Sequence, residues 1–324
     1  MAAARAERRR GGIPLVTGAT GFAGSHMLEE LLRTTPAVAA WSNPRGNAAP
    51  TDDTKIQWRA VNLLDRGAVV EAIDALKPSV VYHCAGAADV GTSWTDPVTP
   101  LQVNALGTHH LLDAIRESGL ACPVLVTGSA LVYRPSLEPI PEDGSIGPSS
   151  PYGLSKLAQE MIAAHSTWSP VFLARPFNHA GPRQSASYVT SSFAKQIAEI
   201  EAGLVPPVLN VGNLDAQRDI TDVRDTVHGY RLLVEKGTSR RPYNVCTGQA
   251  HRIGDLLDIL LGLSSGPIRI AADASRLRPS DNPVVAGDPT RIVREVGWSP
   301  TIPIERTLGD LLDYWRHKAA IPRA

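Results

Sequence analysis

The sequence predicts an α/β chain: a doubly wound parallel sheet in the N-terminal half, followed by a smaller C-terminal α/β lobe. Three observations predict it. Short apolar runs alternate with amphipathic helical stretches between Ile13 and Ala174, capping residues mark the helix starts, and the texture of the chain changes after Arg175. In order, the apolar runs are IPLV (13–16), AVAAW (37–41), IQWRAV (56–61), VVYHC (80–84), PVLVTG (123–128) and VFLA (171–174). The stretches between them are long enough for helical crossovers, so the runs read as parallel strands covered by helices. Pro14 cannot donate to a ladder and is tolerable only at the first residue of its strand.

The helix starts are marked by chemistry. Asp65 precedes RGAVVEAIDAL, Asp96-Pro97 precedes VTPLQVNALGTHHLLDAIRES, and Ser150-Pro151 precedes YGLSKLAQEMIAAH. Each offers a side-chain oxygen to the open amides of a first turn, and proline suits that turn because its missing N–H costs nothing there. From Arg175 onward Pro, Gly and Arg become more frequent, strands shorten, and helices are predicted near 189–202, 222–236, 253–262 and 304–317. The expected division is a first domain over 13–175 and a second lobe over 176–324, with some of the later strands and helices returning to the first domain. No internal repeat or low-complexity segment appears.

Bulk properties narrow the function. At 324 residues, 43% hydrophobic and 20% charged, the chain is long enough for one large domain and a companion. Its formal net charge is zero and its aromatic share is 5%, so nucleic acid and anionic membranes are not expected partners, and any anion site must be local. Cys84, Cys122 and Cys246 are an odd number at spacings that fit neither a disulfide framework nor a zinc site, which predicts a reducing cytoplasm. No apolar run reaches the roughly 20 residues of a membrane span, and MAAARAERRRGG lacks the apolar stretch of a secretion signal, so it reads as a frayed basic tail.

In VTGATGFAGSH, Gly18, Gly21 and Gly24 stand three apart, directly after a strand and opening a helix, with Phe22 and Ala23 between the last two. Glycines there let the backbone turn tightly and let a pyrophosphate approach the helix N-terminus, where the dipole favours negative charge. A Rossmann-type dinucleotide site follows. The acid that grips a ribose 2′-OH is missing, because no Asp or Glu occurs between Glu30 and Asp52. Instead WSNPRG follows the second strand, where Ser42, Asn43 and Arg45 suit a 2′-phosphate unless they are ordinary solvated loop residues. NADP(H) is therefore favoured over NAD(H).

Tyr152 and Lys156 are one helical turn apart, as are Tyr314 and Lys318. On a helix such a pair shares a face, so a phenol near pKa 10 sits beside a cation that stabilises its ionised form. Ser129 separates the two pairs. It lies in VLVTGSALVY, the stretch that ends a parallel strand one connection before Tyr152, and cofactor and substrate meet at the carboxyl ends of such strands. Its hydroxyl can hold a substrate oxygen against Tyr152. Tyr314 and Lys318 lie in the last helix, far from the glycine loop, and read as an exposed or lobe-packing pair.

Taken together, TGATGFAGSH, VYHCAGAADVGTSW, VNALGTHHLL, SALVY, SPYGLSK, RPFNHAGPRQ, RDITDVRD, RLRPSDNP and GDPTRIVREVGWSP resemble an extended short-chain dehydrogenase/reductase acting on nucleotide sugars, from about Ile13 to Arg316. The spacing of the glycines is typical of those enzymes. The resemblance implies Ser129, Tyr152 and Lys156 as catalytic residues, with Asn104 supporting them. It places Asn62 and Leu63 beside adenine, Ala85, Gly86 and Ala87 along the cofactor, and Phe177 near the nicotinamide. Asn62 replaces the family's usual Asp, and its carbonyl can still accept from the adenine amino group. Arg134 replaces the usual glycine after VY.

The second lobe is most similar to the GDP-mannose 4,6-dehydratase and GDP-4-keto-6-deoxy-mannose reductase branch. That similarity implies Asn178, Lys195, Arg218 and Arg278 around the diphosphate and Val208 to Asn210 along the base, with an ordinary surface ion pair as the alternative for either arginine. It also implies a homodimer built on the helices at 97–118 and 149–167. Dehydratases of this kind carry Glu two residues after the serine position; here that residue is Leu131, which cannot move a proton. The activity this resemblance implies is NADP(H)-dependent reduction of the C4 ketone of a nucleotide-linked 4-keto-6-deoxyhexose of the GDP-4-keto-6-deoxy-mannose type. The alternatives are an NAD-dependent 4-epimerase, a 4,6-dehydratase, and a cofactor-sensing protein without turnover. The nine histidines show no metal spacing, His109 and His110 point to different faces of one helix, His83 reads as a packed core residue, and no GxSxG elbow supports a hydrolase.

Overall fold

In a computed structural model of the chain, residues 12–46, 53–276 and 282–320 are described. The N-terminal leader and Arg278 lie outside them. By internal contacts the chain forms two compact units: one runs up to Val132 and includes Pro148–Arg175 and Val227–Tyr243, and the other comprises Tyr133–Gly147, Pro176–Thr226 and the chain from Asn244.

The first unit is built on β1 (Leu15–Thr17), β2 (Val38–Ser42), β3 (Ile56–Ala60), β4 (Val81–His83), β5 (Val124–Thr127) and β6 (Val171–Pro176). With β10 (Pro242–Val245) they form a seven-stranded sheet in the order β10-β6-β5-β4-β1-β2-β3, and β1 to β6 pair in parallel. This is the doubly wound order. Strands β1 and β5 are buried throughout because helices cover both faces, whereas the edge strand β3 is only partly buried. Pro14 precedes β1, and its carbonyl accepts the Ala39 amide at 2.8 Å, so the strand loses no ladder bond to it.

Helices α1 (Phe22–Leu32), α2 (Arg66–Leu76) and α4 (Pro151–Ala164) are single runs. Asp65 and Ser150 cap two of them, accepting the amides of Ala68 and Gly153 at 3.1 Å. Between α2 and α4, the helical run α3 has three parts: Val98–Pro100 in α form, Leu101–Leu106 in π form and Gly107–Glu117 in α form. Its core contacts come from Leu111 and Ile115, which join Leu15, Val69, Ile73 and Val124 in one apolar cluster.

The π stretch departs from the single α-helix predicted for this segment. Asn104 explains it: the Thr108 hydroxyl takes the Asn104 carbonyl at 2.6 Å, and the Asn104 side chain is committed to the loop after β4 and to α4. The wider turn rotates Asn104 inward to reach both.

The second unit contains β7 (Asn178–Ala180), α5 (Val189–Glu201), β8 (Val208–Val211), β9 (Gln217–Asp222), the start of α6 (Val223–Lys236), β11 (Ala250–Arg252), α7 (Ile253–Gly262), β12 (Arg269–Ala272), β13 (Val284–Val285), α8 (Thr290–Val296) and α9 (Ile304–Ala320). Strand β9 pairs with β7, β11 and β13, while β8 pairs with β12. Phe193, Ile197, Leu209, Leu256, Leu308 and Leu312 form its core. Among the described residues no helix is long and apolar enough to cross a membrane.

Candidate active site

The sheet reverses its direction of growth between β1 and β4, and a crevice opens at the carboxyl ends of such a pair. Here it is a cleft of about 410 Å³, lined by Gly18 and Gly21 after β1, by Trp41 to Arg45 at the end of β2, by Asn62 and Leu63 after β3, and by Cys84 to Gly86 after β4. Gly18 has φ +64°, and a Cβ on it would lie 2.6 Å from the Ala85 Cα, so the turns after β1 and β4 can touch only because it is glycine. A Cβ on Gly24 would strike the Gly18 carbonyl. The N-cap of α1 is Gly21, with Phe22 and Ala23 as the first helical residues and no acid in the first turn. That arrangement presents the positive end of a helix dipole at the cleft wall and fits a diphosphate.

The cleft's far end suits a phosphate better than a bare ribose. Asn43 Oδ1 accepts the Arg45 amide at 3.0 Å, closing a turn that leaves Arg45 exposed, and among the described residues lining the cleft there is no carboxylate. Asn62 Oδ1 accepts the Leu64 amide at 3.1 Å, which occupies one of its two lone pairs.

Ser129, Tyr152 and Lys156 are all buried in this same unit. Helix α4 carries the last two, and its polarity is reversed. Tyr152, Ser155, Lys156, Gln159 and Glu160 are buried, while Leu154 and Met161 are 50% and 55% exposed. A polar inner face survives only if its groups are partnered. Ser155 Oγ donates to the Tyr152 carbonyl at 2.7 Å and accepts from Asn104 Nδ2 at 2.8 Å. Lys156 Nζ donates to the Thr127 carbonyl and to Gln159 Oε1, both at 2.8 Å. Glu160 accepts both ends of the Arg175 guanidinium at 2.6 and 2.8 Å. Asn104 also accepts the Ala87 amide at 2.8 Å and so ties the loop after β4 to α4. Ser129 Oγ accepts the Leu131 amide at 3.1 Å.

Burial sets the electrostatics. It pushes Lys156 down to about 8 and, with help from the Lys156 charge, pushes His83 down to about 3; it pushes the Cys84 thiol up to about 12. Tyr230 of α6 is also raised, first by burial and then by Cys84 and Tyr152 nearby. His83 is a packed core residue, held between Thr17 and Thr108 at 2.8 Å on each nitrogen. His109 is exposed and His110 is buried. In the other Tyr–Lys pair, Lys318 Nζ lies 5.9 Å from the centre of the Tyr314 ring, an outward-facing cation–π contact.

The remaining predicted residues belong to the second unit. Phe177 is buried and stacks on Tyr133 with ring centres 6.4 Å apart. Asn178 is exposed on β7; Val208 and Asn210 lie on β8, with Asn210 held at both backbone groups by Gln196. Lys195 lies 3.9 Å from Glu199 and over the Trp315 ring at 5.8 Å. Arg218 Nη1 donates to the Gln217 and Asn282 carbonyls at 2.8 Å. The exposed Arg134 closes its loop through its amide, which donates to the Ser145 carbonyl at 2.8 Å. Sequence reasoning missed Thr17, Cys84, Thr108 and Gln159. Only helical spacing signals the last two, Thr108 lying four residues after Asn104 and Gln159 three after Lys156.

Comparison with known proteins identifies the family and the fold. The profile of the family described as GDP-mannose 4,6 dehydratase matches residues 15–311. The chain is 33% identical over 310 residues to the GDP-6-deoxy-D-mannose reductase of Pseudomonas aeruginosa, covering 94% of this chain and 97% of that protein. Among solved structures it is similar to RMD from Pseudomonas aeruginosa complexed with NADPH, at TM-score 0.83 and 32% identity over 95% and 100% of the two chains. It is also similar to the UDP-glucose 4-epimerase of Thermus thermophilus in complex with NAD, at TM-score 0.82 and 26% identity over 94% and 98%.

Proposed function

Because the chain belongs to the GDP-mannose 4,6 dehydratase family, we propose that it is an NADPH-dependent reductase of the C4 ketone of GDP-4-keto-6-deoxy-mannose. When bound, the reduced nicotinamide supplies the hydride that this reduction needs. Gly18, Gly21 and the α1 N-terminus would hold its diphosphate, and Ser42, Asn43 and Arg45 its 2′-phosphate. The Ser129 hydroxyl holds the ketone oxygen, and the Tyr152 phenol gives its proton to that oxygen as the carbonyl is reduced. Lys156 stabilises the phenolate left behind and binds ribose hydroxyls. Asn178, Lys195, Arg218 and Arg278 would meet the GDP diphosphate.

One observation carries reduction over elimination. Residue 131, beside Ser129, is leucine, and its contribution to the Ser129 hydroxyl is a backbone amide. Water loss across C5–C6 needs a base and an acid, and leucine is neither. The test offers GDP-4-keto-6-deoxy-mannose with NADPH and follows loss of reduced nicotinamide. Consumption supports the reading. No consumption, together with dehydration of intact GDP-mannose without NADPH use, overturns it.

The assembly we propose is a homodimer. Val98, Leu101 and Leu106 of α3 and Leu154 and Met161 of α4 are exposed large apolar residues on two helices that pack together, a face suited to the same face of a second copy. Three free thiols, two of them buried, fit a cytoplasmic location.

A further inference from the structure

Behind Lys156 lies a hydrogen-bond chain in which every proton has one place. Thr108 Oγ1 donates to the Asn104 carbonyl at 2.6 Å, which uses its only proton. It must therefore accept from both of its other partners, Gln159 Nε2 at 2.9 Å and His83 Nε2 at 2.8 Å. With Nε2 protonated, neutral His83 accepts at Nδ1 from Thr17 Oγ1 at 2.8 Å. Thr108 thus reads the orientation of the Gln159 amide: its NH₂ faces Thr108 and its oxygen faces Lys156 Nζ at 2.8 Å. A flipped amide would set NH₂ against an ammonium and leave Thr108 without a donor.

Gln159 is fully buried and Lys156 nearly so, at 0% and 4% exposed. A desolvated cation is costly without acceptors, and this one has two on the protein, one of them a removable side chain. The backbone of Gly86 passes close on another side, since a Cβ there would lie 3.4 Å from Nζ. The titratable groups around Lys156 are Tyr152 on its own helix, His83 and Cys84 at the end of β4, and Tyr230 of α6 beside Tyr152 and Cys84. These last three interact electrostatically with Lys156 or with its neighbours, and Glu160 is ion-paired with Arg175.

We propose that Gln159 is a positioning residue: an uncharged acceptor that holds the Lys156 ammonium in place and leaves its charge available to Tyr152, setting the pH at which the Tyr152–Lys156 pair loses its first proton. A carboxylate at 159 would hold the ammonium to higher pH and also oppose the phenolate. A side chain with no oxygen would destabilise the ammonium. The two substitutions therefore move the ammonium's proton affinity in opposite directions, and the first proton lost by the pair follows where Lys156 supplies it. The inference rests on the roles proposed above for Tyr152 and Lys156.

The test uses full-length protein labelled with [ε-13C]lysine, with the Lys156 resonance identified by its loss in Lys156→Arg. Its titration is followed without cofactor in wild type, Gln159→Glu and Gln159→Met, and the alkaline limb of kcat for NADPH-dependent reduction is measured in parallel. The expected result is an upward shift of about one pH unit in Gln159→Glu and a downward shift of about one unit in Gln159→Met, each a tenfold change in proton affinity, with the kinetic limb following. Equal titration in all three, or shifts of one sign, overturns the proposal. So does a lysine shift that leaves the kinetic limb in place. If Gln159→Glu does not fold, an unshifted Gln159→Met is sufficient to overturn it. A protein that reduces no sugar nucleotide but shows the opposite lysine shifts refutes the reductase reading instead.

Discussion

Lys156 carries its charge at a buried position, 4% exposed, and that has a measurable thermodynamic consequence. Burial takes its pKa from 10.5 to about 8, so between those values the unfolded chain binds a proton that the folded chain has released. Stability contributed by this residue therefore rises with pH across that window and is at its lowest below it. The shift corresponds to about 3 kcal/mol. Lys156→Met removes the effect. Its unfolding free energy relative to wild type should fall by about 2 kcal/mol between about pH 7 and 9.5 in urea titrations; a difference independent of pH contradicts the assignment of the buried ammonium. Tyr152 makes a separate prediction about rate. Tyr152→Phe keeps the ring and deletes the proton donor, so kcat should drop by about 10²–10⁴ while NADPH affinity, measured by fluorescence, stays within a few-fold. Retained turnover would remove the phenol from the mechanism.

Helix α4 joins these residues into one device, and its reversed polarity explains what the sequence could and could not announce. Its start was legible: Ser150 caps it, Pro151 follows, and Tyr152 and Lys156 share a face because of the helical period alone. The partners of that face were not, since Thr127, Thr108, Asn104 and Arg175 come from elements that meet α4 only in the folded sheet. The π turn of α3 was equally hidden, because it answers to contacts of Asn104 and not to local propensity. The Glu160–Arg175 pair anchors α4 to β6 inside the core. Removing one partner leaves a buried charge uncompensated, so Arg175→Met should cost about 3–5 kcal/mol in chemical denaturation. Adding Glu160→Leu to it should recover most of that loss, because the second desolvated charge disappears as well. A double variant as unstable as the single one would assign the anchoring to packing and not to charge.

At the scale of the whole molecule, zero net charge leaves no long-range pull on an anionic ligand, so on the proposed reading recognition would fall to local features such as the glycine turn and Arg45. The glycine turn could be read directly because it needs a residue type at fixed spacing. The division into units could be read only coarsely: 133–147 and 227–243 change sides through contacts distant in the chain. The proposed assembly would use the same reversal of polarity that buries Tyr152 and Lys156. With polar side chains turned inward, α4 must put Leu154 and Met161 outward, 50% and 55% exposed, and Leu154 lines one surface hollow together with Leu101 of α3. A two-fold contact places each residue near its own copy or its neighbours' copies, so one substitution enters the interface twice. Leu154→Glu with Met161→Glu would set four carboxylates into an apolar contact, each desolvated and facing like charge. Sedimentation velocity should show a dimer for wild type and a monomer for the double variant. Because both side chains already face solvent within one copy, the variant's far-UV circular dichroism and NADPH affinity should remain those of wild type. A wild-type monomer, or a double variant that still sediments as a dimer, would show that this face is not the contact.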